Sequence, residues 1–311
     1  MEPGQTQDPA SDGKQQHFRI GTLHPLGTRR YRSPVRNHPF GHPLMNLKKW
    51  LRKKRRQLKL AQLTKQGKAC SPKKWVFIVG CYNSGTTLLH DVIASHPEVA
   101  HLPREGQYCT DQLLIPSDVG LTRVWALQPE MFVPSLKNEP DAEKIKRQWC
   151  GYMSNPLLPV FLEKSIPNAA RVEWLNRHFP DAHFIALIRN GYAVAEGIHR
   201  KAGQSVEVAA KQWQQSNRIM LDQLDKVERK LLLRYEDLTS KPAESLEKVM
   251  KFLDLDIARL QADKQWTVHG ETSKIRNMNA RSISRLSDED KAFIRGEAQE
   301  MLDAFHYSSD K

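Results

Sequence analysis

Cysteine is scarce in this chain: four among 311 residues. Cys70, Cys81, Cys109 and Cys150 are widely spaced, with no C-x-x-C pair and no compact disulfide framework, so the spacing predicts free thiols and a reducing compartment. No apolar run reaches the length of a membrane span. The first thirty residues hold Pro3, Asp8, Pro9, Asp12 and many Gln where a secretory leader needs an apolar core. These absences predict a soluble, cytoplasmic protein, although the acid-poor, Arg-rich start also fits an organelle transit peptide. Also missing is a tight grouping of His, Cys and Asp with metal-ligand spacing, so no metal is expected.

Acidic residues are scarce in one part only. Residues 1–75 carry 18 Lys and Arg against 3 Asp and Glu, whereas the remainder carries 30 against 32. The basic excess belongs to an extension, so it gives the folded domain no nucleic-acid signature and no specific nucleic-acid partner is expected.

Residues 1–43 mix Pro, Gly, Gln, His and Arg without hydrophobic period and cannot bury enough apolar surface to offset ordering entropy. They read as a disordered extension. Residues 44–71 read as a basic amphipathic helix and linker, with Leu44, Leu47, Leu51 and Leu58 leaning to one side. Two readings of residues 44–66 stay open: contact with an anionic membrane or polyanion, or a solvated helix packed on the domain by its leucines. Residues 72–311 read as the folded domain, and 39% hydrophobic content is enough for its core.

The chain is organised around Trp75 to Leu89, WVFIVGCYNSGTTLL. Val76 to Val79 suit a strand buried on both faces. Gly80 ends it, a loop of small and hydroxylic residues follows at Ser84, Gly85, Thr86 and Thr87, and Leu88, Leu89, Val92 and Ile93 recur at helical spacing. Strand, small-residue loop and helix start make an anion cradle of free backbone N–H groups at the positive end of a helix dipole. The loop of nucleoside triphosphatases, G-x-x-x-x-G-K-[ST], carries a lysine where Thr86 stands here, which disfavours ATP or GTP hydrolysis. A strand-to-helix turn with no ligand is the plainer alternative.

Further strands are read at Val99–Leu102, Val160–Leu162, His183–Ile188 and Leu231–Leu233. Between them lie helices from about 168 to 179, from Gly191, from 206 to 227, from Pro242, and a last one from about 287 to 302. Alternating strands and helices imply an α/β fold, a parallel sheet with helices on both faces. The stretch 106–158 has weak periodicity; its aromatics Tyr108, Trp125, Phe132, Trp149 and Tyr152 either line a pocket or fill a core.

Four segments, IVGCYNSGTTLL, EKSIPN, IALIRNGYAVAEGI and LLLRYEDL, occur in an order and at separations that resemble the sulfotransferase family. The resemblance covers about residues 75–307. The spacing from the loop to Glu105, Lys164 and Arg189 is most similar to that of the tyrosylprotein sulfotransferases. It implies a P-loop-like fold and transfer of a sulfuryl group from 3′-phosphoadenosine 5′-phosphosulfate (PAPS) to a hydroxyl, leaving the bisphosphate PAP, with no metal. By position, Ser84 to Thr87 hold the 5′-phosphosulfate and Arg189 the 3′-phosphate. Tyr235 matches a donor-site tyrosine, while Glu236 and Asp237 also suit a cap of the following turn. Ser273, Lys274, Arg276 and Arg281 match a loop that closes over the nucleotide; a solvated basic loop is the plain alternative.

Glu105 falls at the general-base position with a one-residue offset, in competition with a surface pair to Arg104; His101 is the rival base. Lys164 would stabilise the transition state, or serve as a structural ion pair with Glu163 or Glu105. Two positions depart from the family pattern. Asn83 stands where most relatives carry Lys or Arg, its amide able to donate to the donor's bridging oxygen but supplying no charge, and Gly197 where they carry serine at the 3′-phosphate, with Lys201 a compensating cation. The reading is therefore an active enzyme on a small-molecule, sugar or lipid hydroxyl; tyrosine sulfation ranks below it because no secretory anchor is visible. The alternative is a weakened nucleotide-binding pseudoenzyme docked through its basic extension.

Overall fold

In the computed structural model, which describes residues 43–66, 70–135, 139–260, 266–268, 271–273 and 275–309, five parallel strands form one sheet in the order β2-β3-β1-β4-β5. These are β1 (Lys74–Gly80), β2 (Val99–His101), β3 (Val160–Lys164), β4 (Ala182–Ile188) and β5 (Lys230–Arg234). Side chains alternate across a strand, so the continuous apolar run of β1 feeds two cores at once. Trp75, Phe77 and Val79 enter one core with Phe161, Phe179 and Phe184; Val76 and Ile78 enter the other with Leu89, Leu162, Ile185 and Leu187. A separate antiparallel pair joins β6 (Trp266–Val268) to β7 (Glu271–Ser273).

The α-helices are α1 (Pro43–Gln66), α2 (Thr86–Ala94), α3 (Ala142–Cys150), α4 (Val172–His178), α5 (Gly191–Ala202), α6 (Val206–Leu224), α7 (Tyr235–Ser240), α8 (Pro242–Leu253), α9 (Asn279–Ile283) and α10 (Asp288–Ala304). Residues of α2, α7 and α8 cover one face of the sheet; those of α3, α4, α5, α6 and α10 cover the other. The α10 start is fixed by a reciprocal cap, in which Asp290 N–H donates to Ser287 Oγ and Ser287 N–H to Asp290 Oδ2, each at 3.0 Å. The chain leaves β1 toward β2 on one side and reaches β4 on the other. The sheet therefore reverses direction of growth at β1, the position where open α/β sheets bind ligands.

Four sequence expectations change. The helix expected over 168–179 is two elements, a 3₁₀ turn at Ile166–Ala170 and α4. Arg171 breaks it because its buried guanidinium turns inward, donating from Nε to Phe132 O at 3.1 Å and from Nη1 to Asn168 Oδ1 at 3.1 Å. The helix expected over 206–227 ends at Leu224.

The third change concerns α1. Leu47, Leu51 and Leu58 face solvent, while Leu60 is fully buried and Arg56, Leu63 and Thr64 lie on the packed side. Arg56 donates from Nε to Tyr108 O and from Nη2 to Gln107 O, both at 3.0 Å, and also to Thr110 O. A helix packs where its shape meets a partner, and here a guanidinium that caps a turn outweighs the leucine count.

The fourth is the cysteines: Cys70 and Cys150 form a disulfide across 80 residues, tying the end of the α1 linker to α3. Spacing hides such a bond, because only the fold brings the two ends together. Cys81 and Cys109 remain free and buried; burial pushes their thiols up, to about 11 and about 12. Residues 1–42, from the expected disordered extension, lie outside the described residues. Among the described residues no helix is long and apolar enough to cross a membrane.

Candidate active site

Every strand of a parallel sheet presents its carboxyl end to the same edge, and the loops there enclose a cleft of about 750 Å³. β1 delivers the loop 81–85, β3 delivers Lys164, β4 delivers Arg189 and β5 delivers Tyr235. Gly85, with φ of 92°, caps α2 in the left-handed region. A Cβ there would meet Tyr235 Cδ2 at 2.6 Å, so glycine is required both by the turn and by the aromatic ring against it. The first amides of α2 thus open into the cleft with no partner inside the helix.

The loop leaves polar atoms unsatisfied. Ser84 Oγ, Asn83 Nδ2 and Arg189 Nη2 are buried with no hydrogen-bond partner among the described residues. Buried polar groups are nearly always paired, so three orphans around one cradle fit an anion with many acceptor oxygens. Three contacts fix Arg189 in place to meet such an anion. Its Nε donates to Asn279 Oδ1 at 2.8 Å, its Nη1 donates to Asn83 O at 2.7 Å, and the guanidinium lies 4.2 Å from the Tyr235 ring centroid. Burial holds its pKa below the usual arginine range. The Tyr235 hydroxyl donates to Arg276 O and accepts from Met278 N–H, each at 3.1 Å, which ties the 276–278 segment to the cleft.

Among the described residues, nine cationic side chains and one carboxylate, Glu105, line this cleft. Glu105 Oε1 accepts from Lys164 Nζ at 2.9 Å and Oε2 from Gln107 Nε2 at 2.9 Å. Arg104 instead lies over the Tyr108 ring, 4.9 Å from its centroid. Behind Glu105, fully buried Glu163 accepts from Gly106 N–H at 2.8 Å, from Asn168 Nδ2 at 2.6 Å and from the Ser165 hydroxyl. Burial raises its pKa to about 7. His101 stands on the edge strand with its ring against His90, 5.5 Å between centroids, and does not line the cleft.

The structure brings Asn83, Gly85, Thr86, Thr87, Glu105, Lys164, Arg189, Gly197, Lys201, Tyr235, Arg276 and Arg281 to one cleft, with Ser84 buried beneath the loop. Lys274 lies outside the described residues, and Ser273 is described only as the end of β7. Glu236 proves to be a strut: its Oε1 accepts from Asn190 N–H at 3.0 Å and Asn279 Nδ2 at 2.7 Å, its Oε2 from the Tyr307 hydroxyl at 3.0 Å. Asn83 and Gly197 are in contact. A Cβ on residue 197 would meet Asn83 Cγ and Nδ2 at 2.9 Å, so the two departures from the family pattern form one packing arrangement.

Sequence reasoning missed Arg123 and Arg200, both lining the cleft. Arg123 comes from the aperiodic stretch between Ile115 and Trp125, where no repeat could flag it. Of the aromatics there, Trp125, Phe132 and Trp149 fill the core, Tyr108 lines the cleft, and Tyr152 lies under Lys59 Nζ at 3.9 Å.

A profile described as the sulfotransferase family matches residues 76–259, more than half of the chain. The chain belongs to the sulfotransferase family. Protein-tyrosine sulfotransferase A of Caenorhabditis elegans is 24% identical over 230 residues, which are 69% of this chain and 57% of that protein. A putative protein-tyrosine sulfotransferase of Caenorhabditis briggsae is 26% identical over 203 residues, 59% of this chain and 66% of that protein. The matches thus span less than two thirds of both relatives' length. Among solved structures, the sulfotransferase domain from the curacin biosynthetic pathway is 21% identical, with a TM-score of 0.49, and the alignment covers 77% of this chain and 99% of that domain. Among the described residues no group of His, Cys, Asp and Glu could hold a metal ion.

Proposed function

We propose that this sulfotransferase-family chain catalyses sulfuryl transfer from PAPS to a hydroxyl acceptor. One observation carries the reading: Asn83 and Arg189, each with a buried, unpartnered donor, line a cleft with a large cationic excess. PAPS, when bound, supplies the sulfuryl group and a bisphosphate leaving group. Ser84 to Thr87 and the α2 amides hold its 5′ end, and Arg189 holds the 3′-phosphate through Nη2. Glu105 takes the proton from the acceptor hydroxyl. Lys164, 2.9 Å away, keeps that carboxylate oriented and places a cation beside the reacting centre.

The weakened pseudoenzyme is the lesser reading. Asn83 and Gly197, its two supports, are one coupled contact rather than two separate losses. For the acceptor we propose a sugar, lipid or small-molecule hydroxyl. The Cys70–Cys150 disulfide gives a second reading weight, because it argues for an oxidising compartment over the cytoplasm expected from cysteine spacing and so readmits tyrosine side chains as acceptors. The exposed Leu47, Trp50, Leu51 and Leu58, set among Lys53, Lys54 and Arg55, favour an anionic membrane as the partner of α1.

The test is transfer of labelled sulfate from PAPS to a panel of tyrosine peptides, glycans and hydroxylated lipids. Transfer to any member, abolished by Glu105→Gln, supports the reading; PAP binding with no transfer to any class supports the pseudoenzyme.

A further inference from the structure

The loop that cradles the donor carries an amide, Asn83, at a position where charge is expected, so the positive charge must come from elsewhere. Arg123 lines the same cleft, against that loop. Its Nη1 donates to Asn83 Oδ1 at 3.2 Å, and its guanidinium lies 5.5 Å from the centroid of the Tyr82 ring. An amide oxygen satisfies one donor of the guanidinium without neutralising it. Among the described residues no carboxylate forms an ion pair with Arg123, which lines the cleft.

Backbone geometry supports a purposeful placement. Asn83 has φ of 61° and Arg123 φ of 60°; both lie in the left-handed region, common for asparagine and uncommon for arginine. Such strain persists where surrounding structure holds it, and the Arg123 segment is held firmly. Trp125 is fully buried, Ala126 N–H donates to Gln212 Oε1 at 2.8 Å, and Thr122 O accepts from Gln204 Nε2 at 3.3 Å. Gly197 completes the arrangement, since a Cβ there would meet Asn83 Cγ and Nδ2 at 2.9 Å and displace the side chain that holds Arg123. Lys201 stands close enough that Arg123, after burial, contributes to lowering its pKa.

We propose that Arg123 supplies the donor-side cation that the loop lacks, acting at the 5′ end of bound PAPS, with Asn83 as the residue that positions it. This rests on the donor reading of the same cleft. Arg189 serves the 3′ end, so the two arginines separate by ligand. The test is calorimetric titration of the full chain with adenosine 3′,5′-bisphosphate and with adenosine 3′-monophosphate, in wild type, Arg123→Ala and Arg123→Lys.

The expected result is that the affinity gained from the 5′-phosphate falls roughly tenfold or more in Arg123→Ala, as loss of a charge-assisted hydrogen bond implies. Affinity for the 3′-monophosphate stays unchanged, showing that the site is still folded, and Arg123→Lys retains most of the gain. An unchanged gain in Arg123→Ala overturns the proposal while leaving the donor reading intact. Equal weakening toward both ligands also overturns it, by making Arg123 a structural residue. Failure of the wild type to bind the bisphosphate removes the donor reading, and the proposal with it.

Discussion

In the proposed mechanism Glu105 and Lys164, 2.9 Å apart, divide the chemistry between a base and a cation, and their removal has different consequences. Glu105→Gln keeps the size of the side chain, removes the basic oxygen and leaves one of the two donors, Lys164 Nζ or Gln107 Nε2, without its acceptor. Turnover should fall by about 10²-fold or more, while PAP affinity stays within roughly twofold; steady-state rates beside calorimetry check this, and retained turnover removes Glu105 from the base role. Gly197→Ala should displace the Asn83 side chain, which sits 2.9 Å from the new Cβ, and weaken PAP binding about threefold or more. Asn83→Ala in the same chain relieves the contact, so the double variant should lose less than the sum of the single changes.

At the scale of elements, the loop carrying Glu105 depends on parts of the chain far from it. Arg56 of α1 caps the carbonyls of Gln107 and Tyr108, Trp149 of α3 donates from Nε1 to Gly106 O at 3.0 Å, and the Cys70–Cys150 disulfide ties the two helices' surroundings together. Arg56→Ala should therefore lower turnover severalfold while sparing donor affinity, a split that steady-state kinetics with PAP inhibition resolves. Cys150→Ser should cost about 2–4 kcal/mol, equivalent to a melting midpoint lower by roughly 5–12 °C in a domain of this size. An unchanged midpoint by calorimetry, with the wild-type disulfide confirmed by mass spectrometry, would contradict that.

The elements themselves were legible to different degrees. β1 and β4 stood out because strands buried on both faces must be apolar throughout. The α10 start was written in Ser287 and the acidic first turn. The side of α1 that packs was not, because Leu60 and Arg56 find partners only in the assembled fold. The Cys70–Cys150 pairing and Arg123 were hidden for the same reason: both depend on contacts across many residues, and neither leaves a local pattern.

At the scale of the whole molecule, one buried acid couples the site to global stability. Burial raises Glu163 to about 7 from 4.5, with Glu105 reinforcing the rise and Lys164 opposing it. A group whose pKa is raised on folding contributes stability that is full below its unfolded value and is lost as pH rises through the folded one. Glu163 should thus stabilise most below about 4.5, and that contribution should decline toward pH 7. Urea denaturation of wild type and Glu163→Gln across this range isolates the effect: the stability difference between them should slope with pH, and a flat difference contradicts the assignment.

Under the proposed function, the sheet, its two cores and the cationic cleft act as one device for holding a nucleotide with phosphates at both ends. The most direct measurement is calorimetric titration of the full chain with PAP beside ATP, in wild type and Arg189→Ala. Micromolar binding of PAP, far weaker binding of ATP, and loss of PAP binding in the variant are expected. Equal affinity for ATP and PAP, or PAP binding untouched by Arg189→Ala, would contradict the proposed function.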